Sequence, residues 1–351
     1  MATFEKRKHG WFVRVQKKGV REGRTFDTRT DAKAWADKRE KEIDDLGSNA
    51  GEVAEASRNK VSLKEVMERY IKEVSSKKEG AQSFKRERQR FAQMAINPEH
   101  WPLNELMDTL VADIEPHHIG EWKTTRLNFV KPGTVRRERN FLSHVFTMAV
   151  EWGYIKETPF GKKVKFNDLK DGERDRGVAD SEIEEMIFAL DDWDGKTKPA
   201  TTRQVVALLW SLCLETAMRL QEAQFLTLEE VDLKNGVIDL PAHRCKEKRK
   251  KTLGLSTRAI DLLNLGKDSG GNYWFGDATA KIAVSSVFSH ASNKTDIDDL
   301  QFRDSRHEAL TRLAEKLEPF ELARQAGHTN MNRTLKYYRK TAREFGSKLR
   351  R

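Results

Sequence analysis

The C-terminal part of the sequence gathers side chains that could act together on a phosphate group. Arg303 and Arg306 lie three positions apart, His328 follows Gly327, and Tyr337 comes nine positions after that histidine. Arginine binds phosphate oxygens through a planar fork of N–H donors, and a tyrosine phenol can act as a nucleophile. Cations gathered around a phenol therefore indicate an attack by tyrosine on a phosphodiester. Taken singly, an arginine is most often surface charge, and a histidine is most often structural.

Further candidates lie upstream. Arg219 comes soon after an apolar stretch, Arg203 to Thr216, that predicts a buried helix and hence an anchored backbone. Glu222, three residues later, could orient the Arg219 guanidinium across one helical turn. The basic run Lys246 to Lys251 follows. Since phosphodiester transfer needs an acid for the leaving oxygen, a lysine of this run could supply it, or the run could simply contact phosphate.

The composition favours a polyanionic partner but does not establish one. The 351 residues include 65 Lys and Arg against 55 Asp and Glu, which gives a net charge of +10. Cys213 and Cys245 form no disulfide or metal pattern, and we find no P-loop and no acidic metal cluster, so no metal or cofactor is expected. No apolar stretch reaches the ~18 residues of a membrane span, and no signal peptide is evident, so a cytoplasmic location is expected.

The segments that must position these side chains fall into three predicted domains. The first, residues 1–50, has a strand at Trp11–Val15, a turn at Lys18-Gly19, a strand at Arg24–Phe26, and a helix from a Thr30 cap through Leu46. The helix residues expected to point inward are Trp35, Ala36, Ile43 and Leu46. Residues 4–29 carry nine basic and three acidic side chains, which fits either a DNA-contacting sheet or an ordinary solvated face.

The second predicted domain, residues 60–162, consists of four helices that begin near Ser62, Gln82, Pro116 and Pro132. The last of them has an apolar stripe at helical spacing, made of Leu142, Val145, Phe146, Ala149 and Val150. Nearby arginines, Arg136, Arg137 and Arg139, could contact phosphate or be solvated charge. Small polar residues at 50–60 and a charged, glycine-punctuated stretch at 161–177 predict linkers on either side.

The third predicted domain, residues 175–351, combines helices with one small sheet. Asn235-Gly236 predicts a hairpin between strands at 231–233 and 237–240, and 252–255 predicts a third strand. Helices are expected from Asp180 or Ser181 to Leu190, and over Arg203–Thr216, Thr257–Leu265, Val284–Ser292, His307–Leu317 and Phe320–Ala326. The fold class is therefore mostly α with small β-sheets (α+β).

The order and spacing of these residues resemble the tyrosine recombinase, or phage integrase, family. Thr216 to Glu222 resembles the box T-G-x-R-x-x-E, with Ala217 where glycine is common. Arg303 to His307 resembles H-D-L-R-H, Gly327-His328 resembles the L-G-H box, and Tyr337 lies at the usual offset of nine. Residues 246–256 resemble the family's K-x-G-K-x-R-x-V-P-L-S hairpin, and counting back from Leu255 places Lys246 on its general-acid lysine.

The resemblance implies a site-specific DNA recombinase of a phage or integrated element. Arg219, Arg303, Arg306 and His328 would hold the scissile phosphate, Tyr337 would form a 3′-phosphotyrosyl link, and Lys246 would protonate the leaving 5′ oxygen. The first domain would bind arm-type DNA sites and the second core sites. The implied partners are double-stranded DNA, three further copies of the chain in a tetramer on DNA, and accessory DNA-bending or directionality proteins. The C-terminal tail, 341–351, would pack on a neighbouring protomer or be a basic end.

Two departures from the family pattern leave open points. Arg303 stands where histidine is most common, and an arginine cannot act as a base for the Tyr337 phenol. The surrounding arginines could acidify the phenol instead. Tyr338 adjoins Tyr337, but the offset favours Tyr337 as nucleophile and Tyr338 as a packing residue. His307 is a packing position in the family.

Two alternatives to a recombinase remain at this stage. A type IB topoisomerase would use the same chemistry on one duplex, and a non-catalytic DNA-binding regulator would form no covalent adduct.

Overall fold

The computed structural model describes residues 2–7, 10–50, 60–78, 81–96, 102–161, 164–166, 169, 174–268 and 270–338. All six predicted site residues lie within these ranges. The stretch 51–59 of the first predicted linker, most of 162–173, and the tail 341–351 lie outside them. The chain divides into two compact units, Met1–Glu173 and Arg174–Arg351.

The first unit begins with an antiparallel sheet in the order β1-β2-β3, made of Ala2–Arg7, Gly10–Lys17 and Val20–Phe26. Lys18 and Gly19 both have positive φ, 46° and 78°, as the predicted tight turn requires. Helix α1, Arg29–Asp45, covers one face of the sheet. The core between the sheet and α1 consists of Val13, Val15, Val20, Ala32, Ala36, Ile43 and Ala50.

Two details of the α1 prediction are wrong. Thr28, rather than Thr30, caps the helix, because its hydroxyl accepts a hydrogen bond from the Asp31 backbone N–H at 3.1 Å. Leu46 is 44% exposed instead of pointing inward, since the helix ends at Asp45.

The rest of the first unit is helical. Helices α2, Leu63–Glu73, α3, Ala81–Ile96, α4, Pro116–Leu127, and α5, Pro132–Glu151, match the four predicted helices. Ser62 caps α2 in a reciprocal capping box with Glu65. The apolar stripe of α5 is buried as predicted, except that Val150 is only half-buried.

The sheet and the four helices have separate cores but belong to one compact unit. Arg7 Nη1 of β1, for example, donates to Glu151 Oε2 of α5 at 2.7 Å. The boundary between the two units, after Glu173, falls within the stretch 161–177 that was predicted as a linker, and the bounds 175–351 of the third domain stay a prediction. The division of the first unit into domains 1–50 and 60–162 stays a prediction.

The second unit is a helical body with one three-stranded sheet in the order β4-β5-β6. The strands are β4, Val231–Asp232, β5, Val237–Leu240, and β6, Lys251–Gly254. The helices are α6, Asp180–Ala189; α7, Thr202–Thr216; α8, Leu220–Gln224; α9, Thr257–Gly266; α10, Gly276–Ala280; α11, Val284–Ser292; α12, Asp304–Ala314; α13, Pro319–Ala326; and α14, Asn332–Leu335.

Helix α7 is the centre of this unit, as its apolar sequence predicted. Eight of its residues are buried, from Val206 to Thr216, and it packs against α9, α11 and α12.

Two further predictions for this unit can be compared with the structure. The hairpin at Asn235-Gly236 is confirmed, with Gly236 at φ 64°. Helix α12 begins at Asp304, three residues earlier than predicted, because the Asp304 carboxylate accepts from the Gln301 backbone N–H at 2.8 Å.

Within the described ranges, no helix is long and apolar enough to cross a membrane.

Candidate active site

Arg219 is held at the end of the central helix, as predicted. Ala217 ends α7 in the left-handed conformation, at φ 56°, so the chain turns sharply into Arg219. Glu222 accepts hydrogen bonds from the Arg219 backbone N–H at 3.0 Å and from Arg219 Nη1 at 2.8 Å. The Glu222 carboxylate therefore fixes both the backbone and the guanidinium of Arg219.

Arg306 joins two helix ends. Its Nη1 donates to the Ala217 carbonyl at 2.5 Å, and its Nη2 donates to the Ala326 carbonyl at 2.6 Å. Carbonyls at helix C-termini carry partial negative charge, so they are favourable partners for a cation. Burial lowers the pKa of the Arg306 guanidinium from its ordinary value, and the positive charge of Arg219 lowers it further. The charges of the two arginines therefore repel each other, and an anion bound by both would offset this repulsion.

His328 enters this cluster from the end of α13. Gly327 caps that helix at φ 69°, and a Cβ at this position would lie 2.8 Å from Lys251 Cδ, so a larger residue would be strained and would displace the Lys251 side chain. His328 Nδ1 and the Thr334 hydroxyl are 2.9 Å apart and share a hydrogen bond. Burial, with the charges of Arg306 and Arg219, lowers the pKa of His328 to about 4. The imidazole is therefore neutral near pH 7.

This shift predicts a pH dependence of stability. Between about pH 6.5 and about 4, the unfolded chain protonates His328 whereas the folded chain does not. Acidification through this window therefore favours unfolding, and the stabilisation is restored as the pH rises. Urea unfolding of the whole protein at a series of pH values should show this loss, and His328→Gln should show a smaller one. Equal pH dependence in both proteins would contradict the assignment.

Lys251 and Glu222 form a buried ion pair beneath the arginines. Lys251 Nζ lies 2.8 Å from Glu222 Oε2, and the two side chains are 4% and 3% exposed. Burial lowers the pKa of Lys251, although the Glu222 charge opposes this. Because Glu222 also holds Arg219, the pair links β6 of the sheet to the arginine cluster.

The Tyr337 ring lies close to two histidines. Its centroid is 5.3 Å from that of His307, at an interplanar angle of 59°, and 6.5 Å from that of His328, to which it is nearly parallel at 15°. The neighbouring Tyr338 instead donates its hydroxyl to the Leu317 carbonyl at 2.6 Å. This packing agrees with the expectation that Tyr338 is structural.

Lys246 and Arg303 are not part of the cluster in this structure. Lys246 is exposed in the loop 241–250 between β5 and β6, and Arg303 is exposed at the start of α12. Neither side chain makes a hydrogen bond or ion pair that involves another residue described by the structure. Glu247, beside Lys246, binds Arg219 instead, with Nη2 to Oε1 at 2.5 Å and Nη1 to Oε2 at 3.2 Å.

Sequence reasoning included Lys251 in the basic run without singling it out, and it missed Glu247, Gln325 and Thr334. Lys251 could have been found, because strand alternation places it on the same inward face as Leu253. Gln325 fastens α13 to two other elements through hydrogen bonds to Thr216 and Gly254. No local signal marks Glu247 or Thr334, since their partners come from distant or irregular segments.

Comparisons with known proteins identify the family. Residues 178–344 match the sequence profile of the phage integrase family. A shufflon-specific DNA recombinase of Escherichia coli is 30% identical over 302 residues, covering 83% of this chain and 72% of that protein. The chain belongs to the phage integrase family of tyrosine recombinases. A Haemophilus influenzae protein named as an integrase/recombinase is 29% identical over 339 residues, or 95% of this recombinase and 85% of that protein.

Solved structures show the same fold for this tyrosine recombinase. Lambda integrase as a dimer on a COC′ core site has a TM-score of 0.64 at 16% identity, covering 95% of this chain and 93% of that one. Lambda integrase as a tetramer on a Holliday junction has a TM-score of 0.63 at 16% identity, covering 93% and 95%. The family match thus makes this protein a tyrosine-type site-specific recombinase. The solved structures show that its fold is like that of lambda integrase, mostly helical with small antiparallel sheets.

Proposed function

We propose that this recombinase cleaves and rejoins double-stranded DNA through a 3′-phosphotyrosyl intermediate on Tyr337. The observation that carries the proposal is the convergence of Arg219, Arg306, His328 and Tyr337 from four separate segments on one site. Two arginines and a neutral histidine offer donors to a pentavalent phosphorus, and a tyrosine next to them can attack it.

The reaction begins when the Tyr337 oxygen forms a bond to the scissile phosphorus. Arg219 and Arg306 bind the non-bridging oxygens, where negative charge grows in the transition state. Arg303 joins them from the start of α12, as a donor and not as a base. His328 contributes a further hydrogen bond. The phenol proton leaves for solvent or a nearby group, while the charges of Arg219 and Arg306 stabilise the negative charge of the transition state.

The bond from phosphorus to the 5′ oxygen then breaks, and Lys246 donates a proton to that oxygen. The position of Lys246 on an exposed loop means that the loop must close on DNA to deliver the proton. A 5′ hydroxyl from a partner strand reverses the step and releases Tyr337. Since the phosphotyrosyl link preserves the bond energy, the residues of the site need no nucleotide cofactor.

The biological role that we propose is integration and excision of a phage or other mobile element, in a cytoplasm where the DNA is accessible. Strand exchange between two duplexes requires four cleavages, so we propose a homotetramer on DNA, with accessory DNA-bending or directionality proteins. Lambda integrase, which shares the fold, forms a tetramer on a Holliday junction. The basic sheet β1–β3 would contact arm-type sites, and helices α2–α5 would contact core sites.

Covalent trapping tests this function and identifies the DNA target in the same experiment. The recombinase is incubated with nicked duplexes that have a random central segment, so that the fragment beside the nick is lost after cleavage. Adducts that survive detergent are recovered and sequenced to define the site. We expect protein–DNA adducts at a defined sequence, and DNA binding without any adduct would refute the proposal. A supercoiled plasmid with or without the recovered site separates recombination from site-independent relaxation.

A further inference from the structure

The segment at residues 174–180, here called the strap, runs along helix α12. Its contacts follow the helix turn by turn: Arg174 Nε to Asp304 Oδ1 at 2.6 Å, Asp175 Oδ1 to His307 Nε2 at 2.8 Å, the Val178 N–H to Glu308 Oε2 at 3.0 Å, and Asp180 Oδ1 to Arg312 Nη2 at 2.7 Å. One strap residue, Asp175, thus reaches the histidine that packs on Tyr337.

His307 is fixed from one side and contacts the nucleophile on another. Its side chain is only 14% exposed, and its ring centroid lies 5.3 Å from that of Tyr337. The Asp175 carboxylate accepts from Nε2–H, so the proton of a neutral imidazole is on Nε2 and Nδ1 keeps its lone pair. Nδ1 is buried and has no hydrogen-bond partner among the residues that the structure describes. The Asp175 contact is therefore what sets the orientation of the ring.

We propose that Asp175 and His307 form a positioning pair that holds the Tyr337 ring in line with the scissile phosphate. Tyr337 lies two residues beyond the four-residue helix α14, and its backbone N–H donates to the Thr334 carbonyl at 3.0 Å. This bond holds the backbone but does not set the side-chain torsions of the ring, which side-chain contacts must set. A displacement of about 1 Å can slow a reaction by about a hundredfold. This inference rests on the proposed function, and it assigns His307 a role beyond the packing that its sequence position suggested.

Three variants separate this role from general stability. Asp175→Ala removes the carboxylate, and His307→Phe keeps a flat ring on Tyr337 but cannot bond Asp175. Asp180→Ala is the matched control, because it removes another acidic contact of the strap on the same helix without touching His307. Each protein is compared for affinity to the unnicked site and for the rate of adduct formation on the nicked site recovered by trapping.

We expect Asp175→Ala and His307→Phe to form adducts about ten- to a hundredfold more slowly, with affinity changed less than about twofold. Asp175→Glu should recover part of the rate, and the double variant should be no slower than its slower parent. Asp180→Ala should match the wild type. Asp175→Ala equal to Asp180→Ala, or a loss confined to affinity, would overturn the inference. Absence of adducts from the wild type would instead refute the proposed function.

An independent observation concerns the two carboxylates that bind Arg219. Glu222, 3% exposed, fixes the arginine from α8, whereas Glu247, 15% exposed, reaches it from the loop 241–250. Glu247 binds both guanidinium nitrogens through its two oxygens, at 2.5 and 3.2 Å. This forked arrangement of two oxygens is what a phosphate would also present to an arginine.

We infer that Glu247 occupies the phosphate position of Arg219 and must be displaced before cleavage. Since Lys246 is the adjacent residue on the same loop, the displacement also moves the proposed general acid. This intramolecular competition lowers the fraction of protein able to bind the phosphate and so weakens apparent affinity by the same factor. The inference again rests on the proposed function.

Glu247→Gln tests the competition, with Asp239→Asn as a control. Asp239 lies on the same hairpin and pairs with Lys250, so its substitution removes equal charge away from Arg219. We expect Glu247→Gln to bind the trapped site and form adducts about three- to tenfold better than Asp239→Asn. Equal behaviour of the two variants would overturn the inference. Absence of adducts from the wild type would instead refute the proposed function.

Discussion

Tyr337→Phe is expected to abolish covalent protein–DNA adducts while leaving site affinity unchanged within about twofold, because only the nucleophilic oxygen is lost. Phenylalanine keeps the ring that lies close to His307 and His328. The measurement is adduct formation on a nicked duplex with the trapped site, alongside binding to the intact duplex.

Tyr338→Phe is the matched control for this prediction. It removes the hydroxyl that donates to the Leu317 carbonyl, at a cost of about 1 kcal/mol in the free energy of unfolding. Adducts should form at nearly the wild-type rate. Adducts that persist in Tyr337→Phe and vanish in Tyr338→Phe would reverse the assignment of the nucleophile.

Lys246→Ala is expected to slow cleavage by about 10²- to 10⁴-fold, since a positioned general acid contributes about that factor. A substrate with sulfur at the 5′ bridging position should restore most of the rate, because a thiolate leaves without needing a proton. Single-turnover rates on the oxygen and sulfur substrates provide the measurement. A defect that the sulfur substrate does not relieve would remove Lys246 from the acid's role.

Lys251 provides the contrast within the same hairpin. Lys251→Ala removes one of the two cationic partners of the buried Glu222 carboxylate and leaves Arg219 as the other, which we expect to cost about 1–3 kcal/mol in the free energy of unfolding. Its cleavage defect should come with lower stability and should not be relieved by the sulfur substrate. Full rescue of Lys251→Ala, with unchanged stability, would make Lys251 the better candidate for the general acid.

The sequence supported the arginine cluster for reasons that the structure makes clear. Arg219 and Glu222 are neighbours in the chain, so their hydrogen bond follows from local geometry. Gly327 and His328 mark a helix end, which a positive-φ glycine signals directly. The apolar helix α7 and the hairpin at Asn235-Gly236 were likewise visible in composition and periodicity.

Other features depend on contacts across long stretches of chain, which periodicity does not reveal. Glu247 reaches Arg219 from 28 residues away, and Asp175 reaches His307 from 132 residues away. Lys246 is exposed because of the path of its loop, and Arg303 is exposed because of where α12 begins. The position of a residue in the family motif determines neither the path of the loop nor the start of the helix. Leu46 was misplaced because the sequence does not fix the last turn of a helix.

The most direct test of the central claim is to identify the amino acid that carries the DNA. The trapped adduct is digested with protease and nuclease, and the nucleotide-linked peptide is sequenced by mass spectrometry. The account predicts a nucleotide joined through its 3′ phosphate to Tyr337. Linkage to Tyr338, to a serine, or through a 5′ phosphate would contradict it.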